Sequence, residues 1–123
     1  LAAGVVSSRA LPAAGHRAAQ LSLRHVLLGV TDKLAAVSRV LAQEGVDFDA
    51  LGYMGDDLVD LPVLARAGLA AAPADAAADV KACARLVTRA SGGHGAVREF
   101  IEFVLRARGE WERTLASYHR ERT

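Results

Sequence analysis

Short apolar runs alternate along this sequence with longer segments of helical periodicity, and that alternation limits the possible folds more than any other feature. The run HVLLGV at residues 25–30 predicts a buried strand that ends at a Thr-Asp turn. Apolar residues then recur at spacings of three and four from Leu34 to Leu41, which predicts a helix with one apolar face, and Gly45 is expected to end it.

The same cycle repeats further along the chain. The runs LGYMG, GLAAAP and ARLVT predict three more short strands, at residues 51–55, 68–73 and 84–88. The helices between and after them are expected to turn these residues inward: Leu61, Leu64 and Ala65 in the first, then Val97, Ile101, Val104 and Leu105 in the last. This order predicts an α/β fold, a Rossmann-like parallel sheet with helices on both faces.

Length and composition set the class of protein. At 123 residues, with 52% hydrophobic and 24% charged residues, the chain is expected to form a single domain over residues 1–123, with a Gly-rich tail and helix from about residue 91. No apolar run reaches the ~18 residues of a spanning helix, and no basic stretch is interleaved with aromatics. We therefore expect no membrane and no nucleic acid partner. The single Cys83 fits a reducing compartment, so the cytoplasm is the expected location.

The segment GDDLVD at residues 55–60 places three carboxylates at the predicted end of a strand. Ligands of open parallel sheets bind at such ends, and Mg²⁺ prefers oxygen ligands and often uses only one or two protein carboxylates. A structural interpretation remains open beside this one. In it, Asp57 caps a helix, Asp60 lies in its first turn, and Asp56 is solvated.

Two further polar groups follow predicted strands. Lys33 begins a helix, where the helix dipole disfavours cations, so a nearby anion would explain its position; the alternative is an exposed lysine on the surface. If exposed, its loss would cost little stability. Ser7 and Ser8 precede Arg9, and together these groups suit a phosphate.

In this order, SSR, DK, GDDLVDLPVLARAGLAAAPADA and VTRASGGHGAVREF resemble the haloacid dehalogenase superfamily of phosphatases. The likeness is greatest to its small cap-less branch, the 3-deoxy-D-manno-octulosonate 8-phosphate phosphatases. It runs from about Leu1 to about Trp111 and is most specific between residues 53 and 100. The resemblance implies a haloacid dehalogenase-type fold and a Mg²⁺-dependent phosphomonoesterase that forms an aspartyl-phosphate on a phosphorylated sugar acid.

The resemblance also implies roles for single residues. Ser7 would hold the transferring phosphoryl group, and Lys33 would neutralise its oxygens. Asp56 would bind the metal and Asp57 would support the metal's shell, while Asp60 would orient Lys33 or the ligand carboxylates. Such roles suit phosphoryl transfer, which depends on positioning and charge neutralisation.

The family's nucleophile and general acid lie in an Asp-x-Asp-Gly motif at the end of its first strand, and these 123 residues do not contain that motif. We expect it upstream of Leu1, with the N-terminal part of the fold missing from this chain. Asp47 and Asp49 have the same spacing, but they precede a strand and no Gly follows them. They are interpreted as residues of a surface turn.

Substrate contacts are expected from Arg9, which is similar to a family position near the acidic end of the sugar, and from the tail. The segment SGGHGAVREF resembles a Gly-rich tail that, in this branch, closes over a neighbouring subunit's active site in a tetramer. His94 and Arg98 would then meet substrate, and a homotetramer is expected. A plain loop leading into a helix is the alternative.

Two other functions stay open. The chain could be a non-catalytic assembly domain associated with sugar-acid activation, or a phosphorylatable receiver-type domain that uses Mg²⁺. The charge cluster of Lys33, Asp56, Asp57 and Asp60 favours an enzyme over an assembly domain, and the segment GGHGAVRE disfavours a receiver.

Overall fold

The computed structural model describes residues 3–7 and 25–121. Two lists give its elements in chain order. The strands are β1 Gly4–Val6, β2 His25–Leu27, β3 Gly52–Met54, β4 Leu69–Ala72 and β5 Leu86–Val87. The α-helices are α1 Lys33–Glu44, α2 Leu61–Leu64, α3 Ala78–Cys83, α4 Ala96–Ala107 and α5 Trp111–Glu121.

All the described strand pairs are parallel, in two groups. β1 pairs with β2, and β3, β4 and β5 form a three-stranded sheet in that order. Among the described residues, therefore, β1 and β3 each have a hydrogen-bonded neighbour on one side only. The parallel α/β architecture predicted from the alternation is confirmed, although the described strands form two separate hydrogen-bonded groups.

The helix that leaves β2 begins and ends as its sequence predicts. Asp32 is the N-cap, and its carboxylate accepts a hydrogen bond from the Ala35 amide at 3.0 Å. Gly45 ends the helix in the left-handed conformation, with φ of 69°, which glycine adopts without a Cβ clash.

The core lies where α1, α2 and α3 cover the strands. One cluster of buried residues is centred on Val37, Leu41 and Val63, with Val6 from β1 and Tyr53 from β3 packed against it. A second cluster also includes Tyr53 at its edge, and its buried members are Leu64, Ala70, Ala72, Ala76 and Val80. Tyr53 thus touches both clusters, and Val6 ties the two-stranded piece to the same core.

The opposite face of the sheet is covered by α4. A Cβ added at Gly52 would lie 3.3 Å from the Phe100 ring, whereas Tyr53, the next residue of β3, faces the clusters described above. Successive side chains of a strand point to opposite faces. Helices therefore lie on both faces of the sheet, as predicted.

Two predicted helix faces are wrong in detail. In α4 the buried residues are Ala96 and Phe100, whereas Val97 and Ile101 are 61% and 45% exposed. Two apolar stripes lie side by side on this helix, and the stripe that begins one residue earlier packs on the sheet. In α2, Val63 and Leu64 are buried while Ala65 is exposed.

The C-terminal part of the chain forms two helices joined by a short turn. Gly109 adopts φ of 73° between α4 and α5, and the Arg106 guanidinium lies 5.0 Å from the centre of the Trp111 ring. Of the helices in the described part of the chain, none combines the length and apolar character needed to cross a membrane.

Candidate active site

The carboxyl ends of β1, β2 and β3 bring Ser7, Lys33 and the GDDLVD segment to one edge of the fold. Ser7 directly follows β1, and its amide donates to the Leu27 carbonyl at 2.8 Å while its carbonyl accepts from the Val30 amide at 2.9 Å. These bonds tie Ser7 to the loop that leads into Lys33, the first residue of α1. Asp56 follows β3 by two residues. The strand-end rule therefore places these groups as the sequence predicts.

Asp60 is the centre of this edge. Its side chain is buried, with the whole residue 2% exposed, and its carboxylate accepts four hydrogen bonds. The Lys33 ammonium at 2.9 Å and the Tyr53 hydroxyl at 2.8 Å both donate to Oδ1. The Asp56 and Asp57 amides donate to Oδ2 at 3.1 and 3.3 Å. A buried carboxylate with this many donors is held in one orientation.

These contacts shift the pKa values of Asp60 and Tyr53. Burial acts to raise the pKa of Asp60, but the hydrogen bonds from Lys33 and Tyr53 and the charge of Lys33 outweigh it, so that the pKa lies below its ordinary value. Burial, the hydrogen bond to Asp60 and the nearby carboxylate charges raise the pKa of Tyr53. Asp60 is therefore an anion and Tyr53 a neutral donor at neutral pH.

Lys33 is not the exposed surface lysine of the alternative interpretation. Its side chain is 12% exposed and forms an ion pair with Asp60 across 27 residues of sequence. The premise of exposure is therefore wrong, and we expect the loss of the ammonium to destabilise the fold, because it would leave the Asp60 charge buried without a counter-ion.

Asp56 and Asp57 differ from Asp60 in being exposed. Asp57 is the N-cap of a short 3₁₀-helix, Leu58–Asp60, and its carboxylate accepts from the Leu58 amide at 2.7 Å. The Asp56 backbone is fixed, since its carbonyl accepts from the Ala77 amide at 3.1 Å. Its carboxylate accepts no hydrogen bond from any described residue, so it is available to a ligand.

Steric crowding explains why glycine occupies position 55. A Cβ at Gly55 would overlap the Asp60 side chain. Glycine therefore lets the turn after β3 fold tightly enough for Asp60 to reach under it and bind the Asp56 and Asp57 amides.

The donor set at this edge fits a hard divalent cation held mainly by non-protein ligands. Residues 3–7 and 25–121 contain no group of three His, Cys, Asp or Glu side chains placed to hold a metal ion. The Asp60 carboxylate is already occupied by its four donors, and the Asp57 carboxylate accepts from the Leu58 amide, so within GDDLVD only the Asp56 carboxylate accepts no hydrogen bond from a described residue. A magnesium ion that takes one protein carboxylate and completes its shell with water and phosphate is consistent with this arrangement.

Carboxylates hold the backbone at the start of the Gly-rich tail loop. Asp75 accepts from the Gly92 amide at 2.7 Å, and Glu99 accepts from the Arg89 amide at 2.9 Å and from the Ala90 amide at 3.0 Å. The pKa of Glu99 is lowered by these backbone bonds. The loop is thus anchored within its own chain, a feature that the sequence reasoning missed.

His94 and Arg98 are exposed on this segment. Within the described part of the chain, no hydrogen bond or ion pair joins either of them to the Lys33–Asp60 pair, and their substrate role stays a prediction. Arg9 lies outside the described residues. Asp47 and Asp49 lie at the amino end of β3, where Asp47 caps the 3₁₀-helix Phe48–Ala50, so the surface-turn interpretation describes them.

The sequence reasoning also missed the contact of Tyr53 with Asp60. Tyr53 stands in the middle of a three-residue strand that otherwise holds Gly52 and Met54. A hydroxyl in so short an apolar run needs a partner if buried, and an acidic cluster begins three residues later. That signal was available in the sequence.

Comparison with known proteins identifies the relatives of this chain. The sequence model of the haloacid dehalogenase-like hydrolases matches residues 22–101. A 3-deoxy-D-manno-octulosonate 8-phosphate phosphatase from Yersinia pestis is 38% identical over 108 residues, which are 88% of this chain and 58% of the relative. A crystal structure of that phosphatase from Yersinia pestis superimposes with a TM-score of 0.86 at 38% identity, covering 89% of this chain and 59% of the other.

A second solved structure has ligands. It is a 3-deoxy-D-manno-octulosonate 8-phosphate phosphatase from Moraxella catarrhalis in complex with a magnesium ion, a phosphate ion and a KDO molecule. It superimposes with a TM-score of 0.89 at 29% identity and covers 94% of this chain and 66% of the other. This chain spans about three fifths of the length of the curated relatives that it matches. On the match to the family model and the identity to its relatives, the chain belongs to the haloacid dehalogenase-like hydrolase family.

Proposed function

We propose that this chain forms the greater part of a Mg²⁺-dependent phosphomonoesterase that hydrolyses a sugar-acid phosphate such as 3-deoxy-D-manno-octulosonate 8-phosphate. The observation that carries the proposal is the Lys33–Asp60 pair beside the free Asp56 carboxylate, at the strand ends where ligands of parallel sheets bind. The relatives named above, one of them in complex with magnesium, phosphate and KDO, support the substrate class.

Lys33 is assigned to the phosphoryl group. An ammonium has three donor hydrogens, and Asp60 Oδ1 takes one of them. The remaining donors and the positive charge are free to neutralise phosphoryl oxygens as they gain charge in the transition state. Ser7, tied by its backbone to the loop before Lys33, is assigned to hold the same group with its hydroxyl.

Asp56 is assigned as a ligand of Mg²⁺, with Asp57 supporting the shell of the ion. The bound ion would add positive charge against the phosphoryl oxygens. Asp60 contributes by holding the Asp56 amide, which fixes the backbone that carries the ligand.

We place the nucleophile in a segment outside these 123 residues. The family's Asp-x-Asp-Gly motif ends a strand, and β1 and β3 each have a free edge among the described residues. A parallel strand on either edge would end beside Lys33 and Asp56. One carboxylate of that motif would attack phosphorus, and the bond from phosphorus to the sugar oxygen would break as the general acid of the same motif protonates that oxygen. Water would then hydrolyse the aspartyl-phosphate to inorganic phosphate and restore the carboxylate.

Substrate selection and assembly complete the proposal. Arg9, His94 and Arg98 are assigned to the acidic sugar, to which guanidinium and imidazole groups are suited. The exposed Val97 and Ile101 side chains lie on the same helix as Arg98 and support a tail that meets another subunit, so a homotetramer is proposed. The partly buried free thiol of Cys83 is compatible with a cytoplasmic enzyme.

Calorimetry with Mg²⁺ and inorganic phosphate tests the site on the chain itself. We expect Asp56→Asn to abolish Mg²⁺ binding and Lys33→Gln to weaken phosphate binding at saturating Mg²⁺. Gln is chosen because its amide can still donate to Asp60. Lys81→Gln is the matched control, since Lys81 is the other lysine and bonds the Ala74 carbonyl at 3.2 Å.

Turnover needs the nucleophile, so it is measured on a protein in which these residues follow the segment that carries Asp-x-Asp-Gly. Lys33→Gln should slow phosphate release roughly 100-fold, as loss of one preorganised charge does in other enzymes. Unchanged Mg²⁺ and phosphate binding in both variants, without turnover in the longer protein, would instead favour the non-catalytic assembly domain.

A further inference from the structure

Tyr53 joins the core to the Lys33–Asp60 pair. Its ring packs against both buried clusters, between α1, α2 and α3, and its hydroxyl leaves the core to reach Asp60 Oδ1 at 2.8 Å. The backbone of Tyr53 is fixed by the β3–β4 ladder, in register with Ala70. The hydroxyl therefore has little freedom to move relative to the sheet.

Lys33 and Tyr53 donate to the same oxygen of Asp60. The two donors reach Oδ1 at 2.9 and 2.8 Å, while Oδ2 binds the Asp56 and Asp57 amides. Of the two groups on Oδ1, Lys33 stands at the end of a four-carbon stem and Tyr53 is rigid. The rigid donor therefore fixes the oxygen to which the flexible one binds.

We propose that Tyr53 is a positioning residue that, through Asp60, sets the place of the Lys33 ammonium. Without the hydroxyl, Oδ1 keeps Lys33 as its one donor. The ammonium would then be drawn further onto a buried anion that water reaches poorly, and less of its charge would face the strand ends. The consequence for phosphate rests on the function proposed above, whereas the coupling between Tyr53 and Lys33 does not.

The chain makes this coupling easy to observe, because it holds two lysines, Lys33 and Lys81, and two tyrosines, Tyr53 and Tyr118. In protein labelled with ¹⁵N-lysine, each ammonium gives one signal. We expect Tyr53→Phe to shift the Lys33 signal and to leave the Lys81 signal in place. Tyr118→Phe makes the same substitution at the other tyrosine of the sequence and is the control variant, in which both signals are expected to stay in place.

A second measurement tests whether the position of the Lys33 ammonium affects the binding of phosphate. With saturating Mg²⁺, Tyr53→Phe should weaken the binding of inorganic phosphate about tenfold, the effect of losing one hydrogen bond to a charged group. Phe keeps the ring in both clusters, so a change in the Lys33 signal without a change in the far-ultraviolet spectrum separates positioning from a loss of fold.

The outcomes are distinct. A Lys33 signal that is unmoved in folded Tyr53→Phe overturns the inference, and so does a moved signal with unchanged phosphate affinity when Lys33→Gln has lost that affinity. If Tyr53→Phe does not fold, the unaltered protein is used: a slowly exchanging Tyr53 hydroxyl close to the Lys33 ammonium is expected, and a freely exchanging one overturns the inference. If Lys33→Gln keeps its phosphate affinity, the proposed function fails, while the lysine signals still test the coupling.

Discussion

Replacing Asp60 by Asn is expected to cost far more stability than the same change at Asp56 or Asp57. Asn has the shape of Asp, but one carboxylate oxygen becomes an amide that cannot accept a hydrogen bond. Because each oxygen of Asp60 binds two donors, either orientation of Asn loses two of the four hydrogen bonds. Lys33, 12% exposed, also loses its counter-ion.

The magnitude follows from burial. Removing one partner of a buried ion pair costs about 3–5 kcal/mol. Lys33 keeps some contact with water, so a value near the lower end, about 3 kcal/mol, is expected. For a domain of this size that corresponds to a fall in Tm of roughly 10 °C. Asp57→Asn alters an exposed cap and should cost about 1 kcal/mol or less.

Urea unfolding followed by circular dichroism measures these differences, provided that the slope with denaturant is equal among the variants. Asp56→Asn is the second control, and its free energy of unfolding should be unchanged or slightly higher because it removes a repelling charge. The reasoning is refuted if Asp60→Asn costs no more than Asp57→Asn.

Two further predictions concern pH and the tail. The folded pKa of Asp60 lies below the ordinary value of about 4, so the contribution of Asp60 to stability is complete above that value and is lost as pH falls through the lower folded pKa. The free energy of unfolding should therefore fall more steeply below about pH 4 in the unaltered protein than in Asp60→Asn. Parallel pH profiles of the two proteins would contradict this. His94→Ala in the longer protein should raise KM more than it lowers kcat, and it should change Tm little because His94 is exposed. An unchanged KM, together with a monomer in light scattering, would contradict the proposal that the tail acts on a neighbouring subunit.

The sequence predicted elements better than contacts. The span of α1 follows from its stripe of apolar residues and from Gly45, because both signals are local. The packed face of α4 was not predictable in the same way. Periodicity tells which residues share a face, but Ala96 and Phe100 lie one position before Val97 and Ile101, and the sheet decides which stripe is buried.

In the candidate site, too, the sequence predicted the place of the residues along the fold better than their contacts. Strand ends placed Lys33 and the GDD turn at one edge, since this follows from topology. That Asp60 would turn inward while Asp56 turns outward depends on Gly55 and on a contact across 27 residues, which no local pattern encodes. The structural and functional interpretations of GDDLVD also prove compatible, because Asp57 caps a helix and Asp56 remains free.

Stability alone does not explain the Lys33–Asp60 pair. Two charges removed from water lose hydration that their attraction only partly restores, and well-packed apolar residues at such sites are often as stabilising or more so. The core here already places aliphatic residues such as Val37 and Val63 beside Tyr53, so an apolar pair would suit its surroundings. A fold selected for stability alone has little reason to keep an ammonium at the carboxyl ends of its strands. An ammonium held on one buried oxygen, with donors left over and a free carboxylate nearby, is the arrangement that an anionic ligand and its cation require.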